Sequence, residues 1–134
     1  KTWPEAKAWV AERAAKEVQV EHTSGVLRHF LVEPFVPHPQ ETEYYINVNS
    51  VREGDWILFT DEGGVDVGDV DAKAAKMLIP VDLSEFPSNE EIAATLLAKV
   101  PKGVHNVLID FIVRLYAVYV DCQFTYLEIN PLVV

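Results

Sequence analysis

Residues 104–119 carry the strongest helical pattern of the chain. Apolar side chains recur there at spacings of three and four residues, which places them on one broad face of a helix. That face consists of Val104, Val107, Leu108, Phe111, Ile112, Leu115, Val118 and Tyr119. Asp110 and Arg114 are four residues apart and can pair on its flank. A helix with so wide an apolar face must be covered by another layer, so we expect this segment to belong to a core.

Capping-box spacing predicts two further helices. Thr2 with Glu5, and Ser88 with Glu91, stand three residues apart, so that each pair can satisfy two backbone N–H groups at a helix start. The first pair predicts a helix whose apolar positions extend to Val18. The second predicts a shorter helix immediately before the core helix.

Runs of β-branched and aromatic residues predict the strands. They are residues 26–36, 43–51, 56–61, 77–81 and 124–132. The second and third flank a turn that contains Gly54, which is typical of a hairpin. The order of helices and strands predicts an α/β (α+β) fold, with a mixed sheet and helices packed against one side of it. A chain of 134 residues fits a single domain.

Charge and cysteine content exclude several classes of protein. Eleven basic and twenty-one acidic residues give a net charge of −10, and no basic cluster offsets repulsion by phosphates, so no nucleic-acid partner is expected. The single cysteine, Cys122, excludes an internal disulfide. Charges at Asp110, Arg114 and Asp121 interrupt the longest apolar segment, so no membrane partner is expected. Because the chain starts without Met and ends on apolar residues, we expect it to be part of a longer one.

The last predicted strand carries two oxygen-bearing side chains. Side chains alternate along a strand, so Glu128 and Asn130 should face one way while Leu127 and Ile129 face the other. Carboxylate and amide oxygens suit Mg²⁺, which takes few protein ligands and completes its coordination with water and phosphate oxygens. Pro131 should mark a bulge or the end of pairing. The alternative from these residues alone is an edge strand with two solvated polar side chains.

Two other segments are candidates for binding. Residues 32–37 run from an apolar strand into prolines and could present backbone N–H and C=O groups to an adenine ring, or could simply form a rigid strand exit. Glu43 could accept hydrogen bonds from ribose hydroxyls, or could be solvated. The acidic loop of residues 61–71 fits neither the EF-hand nor the P-loop pattern. It therefore remains open between a surface loop and a Ca²⁺ site.

Three segments, taken in order, resemble the ATP-grasp portion of the ATP-citrate lyase family. They are LVEPFVPH (residues 31–38), EGGVDVGDVDAK (62–73) and YLEINPLVV (126–134). The succinyl-CoA synthetase β subunit has similar VE, EGG and LEINPL elements, but the continuation after EGG is closer to the citrate enzymes. The resemblance implies a partial ATP-grasp domain that binds ATP and Mg²⁺. It further implies citrate activation through a phosphorylated histidine, which none of the four histidines here matches, and formation of acetyl-CoA and oxaloacetate.

The resemblance also assigns roles by position. Glu33, Pro34 and Val36 would contact the adenine, chiefly through backbone atoms, and Glu43 would bind the ribose. Asn130 would be a Mg²⁺ ligand.

Glu128 would face the phosphohistidine as a catalytic residue. Citrate and CoA would be bound by other parts of a cytoplasmic, oligomeric parent enzyme. The phosphate-binding basic residues and a second metal-ligating aspartate would also lie elsewhere, so the isolated chain is expected to be inactive. The alternatives are a piece of a succinyl-CoA synthetase-type ligase and a non-catalytic, acidic Ca²⁺-binding module.

Overall fold

The computed structural model describes residues 2–64, 70–81 and 86–134. The chain divides into two compact units, Lys1–Pro37 and His38–Val134.

The first unit is built from a helix and a short hairpin. Its elements are helix α1 (Trp3–Arg13) and strands β1 (Glu17–Val20) and β2 (Thr23–Val26). The backbone N–H of Thr2 donates to Glu5 Oε2 at 2.6 Å, so the predicted capping box begins α1. The helix ends earlier than predicted, because Val18 pairs in the antiparallel ladder of β1 with β2 instead of extending the helix.

The strand predicted for residues 26–36 is wrong. Beyond β2 this segment forms neither helix nor strand, and Leu31 is 91% exposed. Two causes account for this. Pro34 cannot donate to a sheet ladder, and in the described part of this unit the sheet consists of β1 and β2 only.

The second unit is a sheet with helices on one side. Its helices are α2 (Val70–Lys73), α3 (Asn89–Thr95) and α4 (His105–Asp121), and its strands are β3 (Glu43–Val51), β4 (Gly54–Thr60), β5 (Ala75–Pro80) and β6 (Tyr126–Val133). The strand order is β5-β4-β3-β6. The hairpin of β3 and β4 is confirmed, with Val51 opposite Gly54 at its turn. The α+β class is confirmed, but every described pairing is antiparallel where a mixed sheet was expected.

One face of this sheet packs against α3 and α4 to form the core. The buried side chains of the sheet include Ile46, Val48, Ile57, Phe59 and Ile79, and those of the helices include Ile92, Leu97, Leu108, Ile112 and Tyr119. The predicted capping box of Ser88 and Glu91 begins α3. The predicted ion pair of Asp110 with Arg114 is present at 2.9 Å. The apolar face of α4 is wider than the sheet covers, since Val107 remains 58% exposed.

Residues 102–121, which contain α4, are long and apolar enough to cross a membrane if only length and composition are considered. In the structure this helix supplies Leu108, Ile112 and Tyr119 to the core. Core packing therefore accounts for the apolar side chains on the sheet-facing side of α4, whereas Val107, Val118 and Val120 remain exposed.

Candidate functional site

Strand β6 carries both polar residues of the predicted metal site. Glu128 lies opposite Asn47 of β3 in the sheet register. Leu127 and Ile129 pack against the core. Glu128 therefore stands on the other face of the sheet, as the alternation predicts.

A β-bulge follows Ile129 in the same strand. The register shifts between Tyr44 and Ile46, so that Tyr45 lies opposite both Asn130 and Pro131. Pro131 was predicted to mark a bulge or the end of pairing, and the structure has the bulge, since pairing continues to Val133. A bulge re-aims the side chains next to it, so the strict alternation of the strand no longer fixes where Asn130 points.

The side-chain amide of Asn130 binds the backbone of the glycine loop. Its Oδ1 accepts the N–H of Gly64 at 2.7 Å, and its Nδ2 donates to the carbonyl oxygen of Gly64 at 3.0 Å. An amide oxygen has two lone pairs, so Oδ1 keeps one acceptor position after this bond. Asn130 can therefore hold the loop and still offer an oxygen to a hard cation.

The two glycines allow this loop to lie against the start of β3. A Cβ on Gly63 would be 2.4 Å from the carbonyl oxygen of Tyr44, and a Cβ on Gly64 would be 2.5 Å from Glu43 Oε2. Gly64 also has φ of +96°, a conformation that side-chain-bearing residues rarely adopt. The loop thus brings Glu43 and Asn130 to the same glycine, which sequence reasoning had not predicted.

Glu43 begins β3, and its carboxylate is largely buried. The side chains of Glu43 and His38 are each 17% exposed, and Glu43 Oε1 lies 2.9 Å from His38 Nε2. The second oxygen, Oε2, adjoins Gly64. The predicted ribose ligand therefore has one oxygen paired with an imidazole and the other beside the glycine loop. His38 was not predicted to take part, because no local pattern links it to Glu43.

Two tyrosines adjoin Glu128. Tyr126 lies two residues earlier in β6 and donates its hydroxyl hydrogen to a carboxylate oxygen of Glu128. Tyr45 is 6% exposed. Burial raises the pKa of Tyr45, and the negative charge of Glu128 and the neighbouring Tyr126 raise it further. Sequence reasoning missed both tyrosines, although the alternation that aligns residues 126 and 128 could have indicated Tyr126.

The predicted adenine contacts lie in the first unit. Glu33, Pro34 and Val36 belong to its irregular segment, and their side chains are exposed. Glu43 and Asn130 belong to the second unit. The adenine, ribose and metal roles of these residues remain predictions.

The acidic loop is described only in part. Glu62 forms an ion pair with Lys73 at 3.0 Å, whereas the acidic residues Asp66 and Asp69 lie outside the described residues. Within residues 2–64, 70–81 and 86–134, no group of three His, Cys, Asp or Glu side chains is placed to hold a metal ion.

The antiparallel sheet with helices on one face, and the glycine loop bound to its last strand, belong to a fold of the ATP-grasp type. The chain belongs to the ATP-citrate synthase ATP-grasp domain family, whose family model matches residues 1–134.

Relatives and solved structures agree with this family. The chain is 71% identical over 133 residues to a probable ATP-citrate synthase subunit 2 of Schizosaccharomyces pombe, covering 99% of this chain and 27% of the relative. It is 51% identical over 128 residues to the ATP-citrate synthase of Bos taurus, covering 96% of this chain and 12% of the relative.

The structure is similar to that of an ATP citrate lyase from Methanothrix soehngenii in complex with citrate and coenzyme A. The TM-score is 0.75 at 29% sequence identity, and the match covers 98% of this chain and 30% of that one. The chain therefore spans less than a third of the length of each of these relatives.

Proposed function

We propose that this chain contributes to MgATP binding in an ATP-citrate lyase, and that its two units belong to one ATP-grasp domain of a longer polypeptide. The whole enzyme would use phosphoryl transfer from ATP to activate citrate. It would then form acetyl-CoA and oxaloacetate from citrate, CoA and ATP. Its other parts would bind citrate and CoA, and we place it in the cytoplasm as an oligomer, as the family resemblance implies.

The observation that carries this proposal is the meeting of Glu43 and Asn130 at Gly64. A buried carboxylate and a side-chain amide adjoin one glycine, where a Cβ would collide with Glu43. A site for a nucleotide and its metal needs fixed oxygen ligands and a backbone that can approach closely. This arrangement supports both requirements in residues that the family resemblance had singled out.

Glu43 is suited to hold a ribose. Its Oε2 can accept a hydrogen bond from a hydroxyl, while the contact of Oε1 with His38 fixes the orientation of the carboxylate. Glu33, Pro34 and Val36 would supply backbone donors and acceptors to the adenine. These assignments rest on the resemblance and on the exposed, irregular backbone of that segment.

The residues present also fit a hard divalent cation. Asn130 Oδ1 is a neutral oxygen ligand with a remaining lone pair, and the amide is already fixed by two hydrogen bonds. Mg²⁺ usually takes one or two protein ligands and completes its octahedron with water and phosphate oxygens. When bound, the ion would neutralise charge on the phosphates. Asn130 would hold it next to the glycine loop.

The proposal is tested in the full-length enzyme by measuring acetyl-CoA formation from citrate, ATP and CoA at varied Mg²⁺ concentration. We expect Asn130→Ala to raise the Mg²⁺ concentration required for half-maximal rate by at least about 10-fold. Asn106→Ala, which changes an exposed residue of α4, is the matched control and should leave that concentration unchanged.

The same assay separates the alternatives. Consumption of succinate in place of citrate would indicate a succinyl-CoA synthetase-type ligase and overturn the proposal. An unchanged Mg²⁺ requirement in Asn130→Ala would remove the metal role of this residue. The 134-residue chain alone should bind MgATP weakly at most, and submicromolar affinity in calorimetry would contradict the division of the site between this chain and the rest of the enzyme.

A further inference from the structure

The sheet face that carries Glu128 is polar and aromatic in β3 and β6. Alternation in β3 places Tyr45 and Asn47 on this face, and the register sets Asn47 opposite Glu128. Tyr126 precedes Glu128 by two residues and shares the face. Tyr45 and Asn47 are 6% and 3% exposed, whereas Tyr126 is 59% exposed and Glu128 is exposed as well, so packing fixes the β3 side of this group.

Both tyrosines adjoin the same carboxylate. Tyr126 donates to Glu128. Burial raises the pKa of Tyr45, and the negative charge of Glu128 adds to that rise, which agrees with the closeness of the two side chains across β3 and β6. Glu128 therefore has a phenol from its own strand and a second phenol from the neighbouring strand.

Such a pair of donors has a physical consequence for a reacting carboxylate. A glutamate side chain has three rotatable bonds, and fixing it costs conformational entropy. Donors that fix it before the substrate arrives remove that cost from the reaction, and preorganised polar groups are the largest source of stabilisation in most active sites.

We propose that Tyr45 and Tyr126 are positioning residues that orient the carboxylate of Glu128 for phosphoryl transfer. The inference rests on the proposed function, since it takes Glu128 as the residue that faces the phosphorylated group. It assigns separate tasks to neighbouring residues: Asn130 serves the cation, and Glu128, held by two phenols, serves the phosphoryl acceptor.

The test measures transfer of the γ-phosphoryl group from radiolabelled ATP to the full-length enzyme in single-turnover experiments. Tyr126→Phe and Tyr45→Phe retain the aromatic rings and remove only the hydroxyl groups. We expect each to slow the transfer by roughly 10- to 100-fold, the range for losing a hydrogen bond to a charged group. The ATP concentration for half-maximal rate should change by less than about 3-fold, because the proposal assigns both hydroxyls to the carboxylate and not to the nucleotide.

A double-mutant cycle distinguishes positioning from general structural damage. In a Glu128→Gln background, Tyr126→Phe should slow the transfer by less than about 2-fold, because the carboxylate that it orients is already gone. A structural defect would slow both backgrounds equally. Tyr116→Phe, which removes a hydroxyl that donates to Asp55 in the β3–β4 hairpin, is the control for lost stability and should not slow the transfer.

Three results are informative. An enzyme that takes no phosphoryl group from ATP overturns the proposed function and this inference with it. Transfer in the parent enzyme with an equally fast Tyr126→Phe variant overturns this inference alone. Equal slowing by Tyr126→Phe in the parent and Glu128→Gln backgrounds also overturns it.

Discussion

Replacement of Asn130 by aspartate separates the two tasks of this side chain. Aspartate keeps an oxygen that can accept from the Gly64 N–H, but it replaces the Nδ2 donor with a second oxygen. That oxygen would face the Gly64 carbonyl oxygen, which now lies 3.0 Å from Nδ2. We predict that Asn130→Asp loosens the glycine loop from β6 while retaining an oxygen for a cation.

The magnitude follows from the lost bond. The Asn130 contact with Gly64 is partly buried, and leaving a buried acceptor without its donor costs about 1–3 kcal/mol. Repulsion from the new carboxylate acts in the same direction. In a chain of 134 residues, each kcal/mol lowers Tm by roughly 3–5 °C. We therefore expect a loss of about 1–3 kcal/mol in the free energy of unfolding and a Tm lower by roughly 3–15 °C.

The assay is urea unfolding of the 134-residue chain at neutral pH, followed by circular dichroism. Amide hydrogen exchange of β3 and β6 locates the loss. Asn106→Asp makes the same charge change at an exposed position of α4 and is the matched control. Equal losses in the two variants would refute the assignment of Asn130 as the residue that holds the loop.

Further predictions concern the glycine loop, the hairpin and the cap of α3. Gly63→Ala should lose more than about 2 kcal/mol of stability, because a Cβ there would lie 2.4 Å from a backbone oxygen. The control Gly103→Ala should lose almost none, because nothing lies within 4 Å of a Cβ at that position. Equal Tm values for the two variants would contradict this prediction. Tyr116→Phe removes the bond to Asp55 at 2.9 Å and should cost about 1–2 kcal/mol in urea titrations at neutral pH. Burial and Asp55 raise the pKa of Tyr116. The stabilisation is therefore fully present below the ordinary phenol pKa of about 10 and should fade as pH rises through the higher pKa of the folded state. A difference in unfolding free energy between wild type and variant that stays constant in alkaline solution argues against this. Hydrogen bonds from Ser88 lower the pKa of Glu91. The loss of stability in Glu91→Gln should therefore be present at neutral pH and disappear as acid protonates the carboxyl group of the wild type. A loss of stability that persists in acid would count against the capping role.

Local patterns predicted the elements whose stability depends on local sequence. The hairpin was predicted because Gly54 stands at its turn between two alternating runs, and the structure pairs the strands there. The core helix was predicted from its apolar spacing, and Leu108, Ile112 and Tyr119 are buried. The outer part of the apolar face was not distinguishable in sequence, because burial depends on the width of the sheet that covers the helix.

The failed strand prediction has a tertiary cause. Residues 26–36 have the composition of a buried strand, but a strand needs a partner that supplies a ladder. In the first unit the described ladder joins β1 and β2, and Pro34 removes one donor from the segment.

The candidate site was predicted as residues and not as contacts. The motifs located Glu43, Glu128 and Asn130, yet the bond from Asn130 to Gly64 joins positions 66 residues apart and leaves no local signal. The approach of Tyr45 to Glu128 depends in the same way on the register of β3 with β6. Long-range register comes from the packed sheet, which the pattern of a single segment does not specify.

The most direct test of the central claim is anomalous diffraction from crystals of the full-length enzyme with ADP and Mn²⁺ in place of Mg²⁺. The account predicts a manganese peak at metal–oxygen bonding distance from Asn130 Oδ1, about 2.1 Å for Mg²⁺ and slightly longer for Mn²⁺, while the Gly64 N–H still donates to that oxygen. Manganese bound to the nucleotide without Asn130 among its ligands would contradict the account.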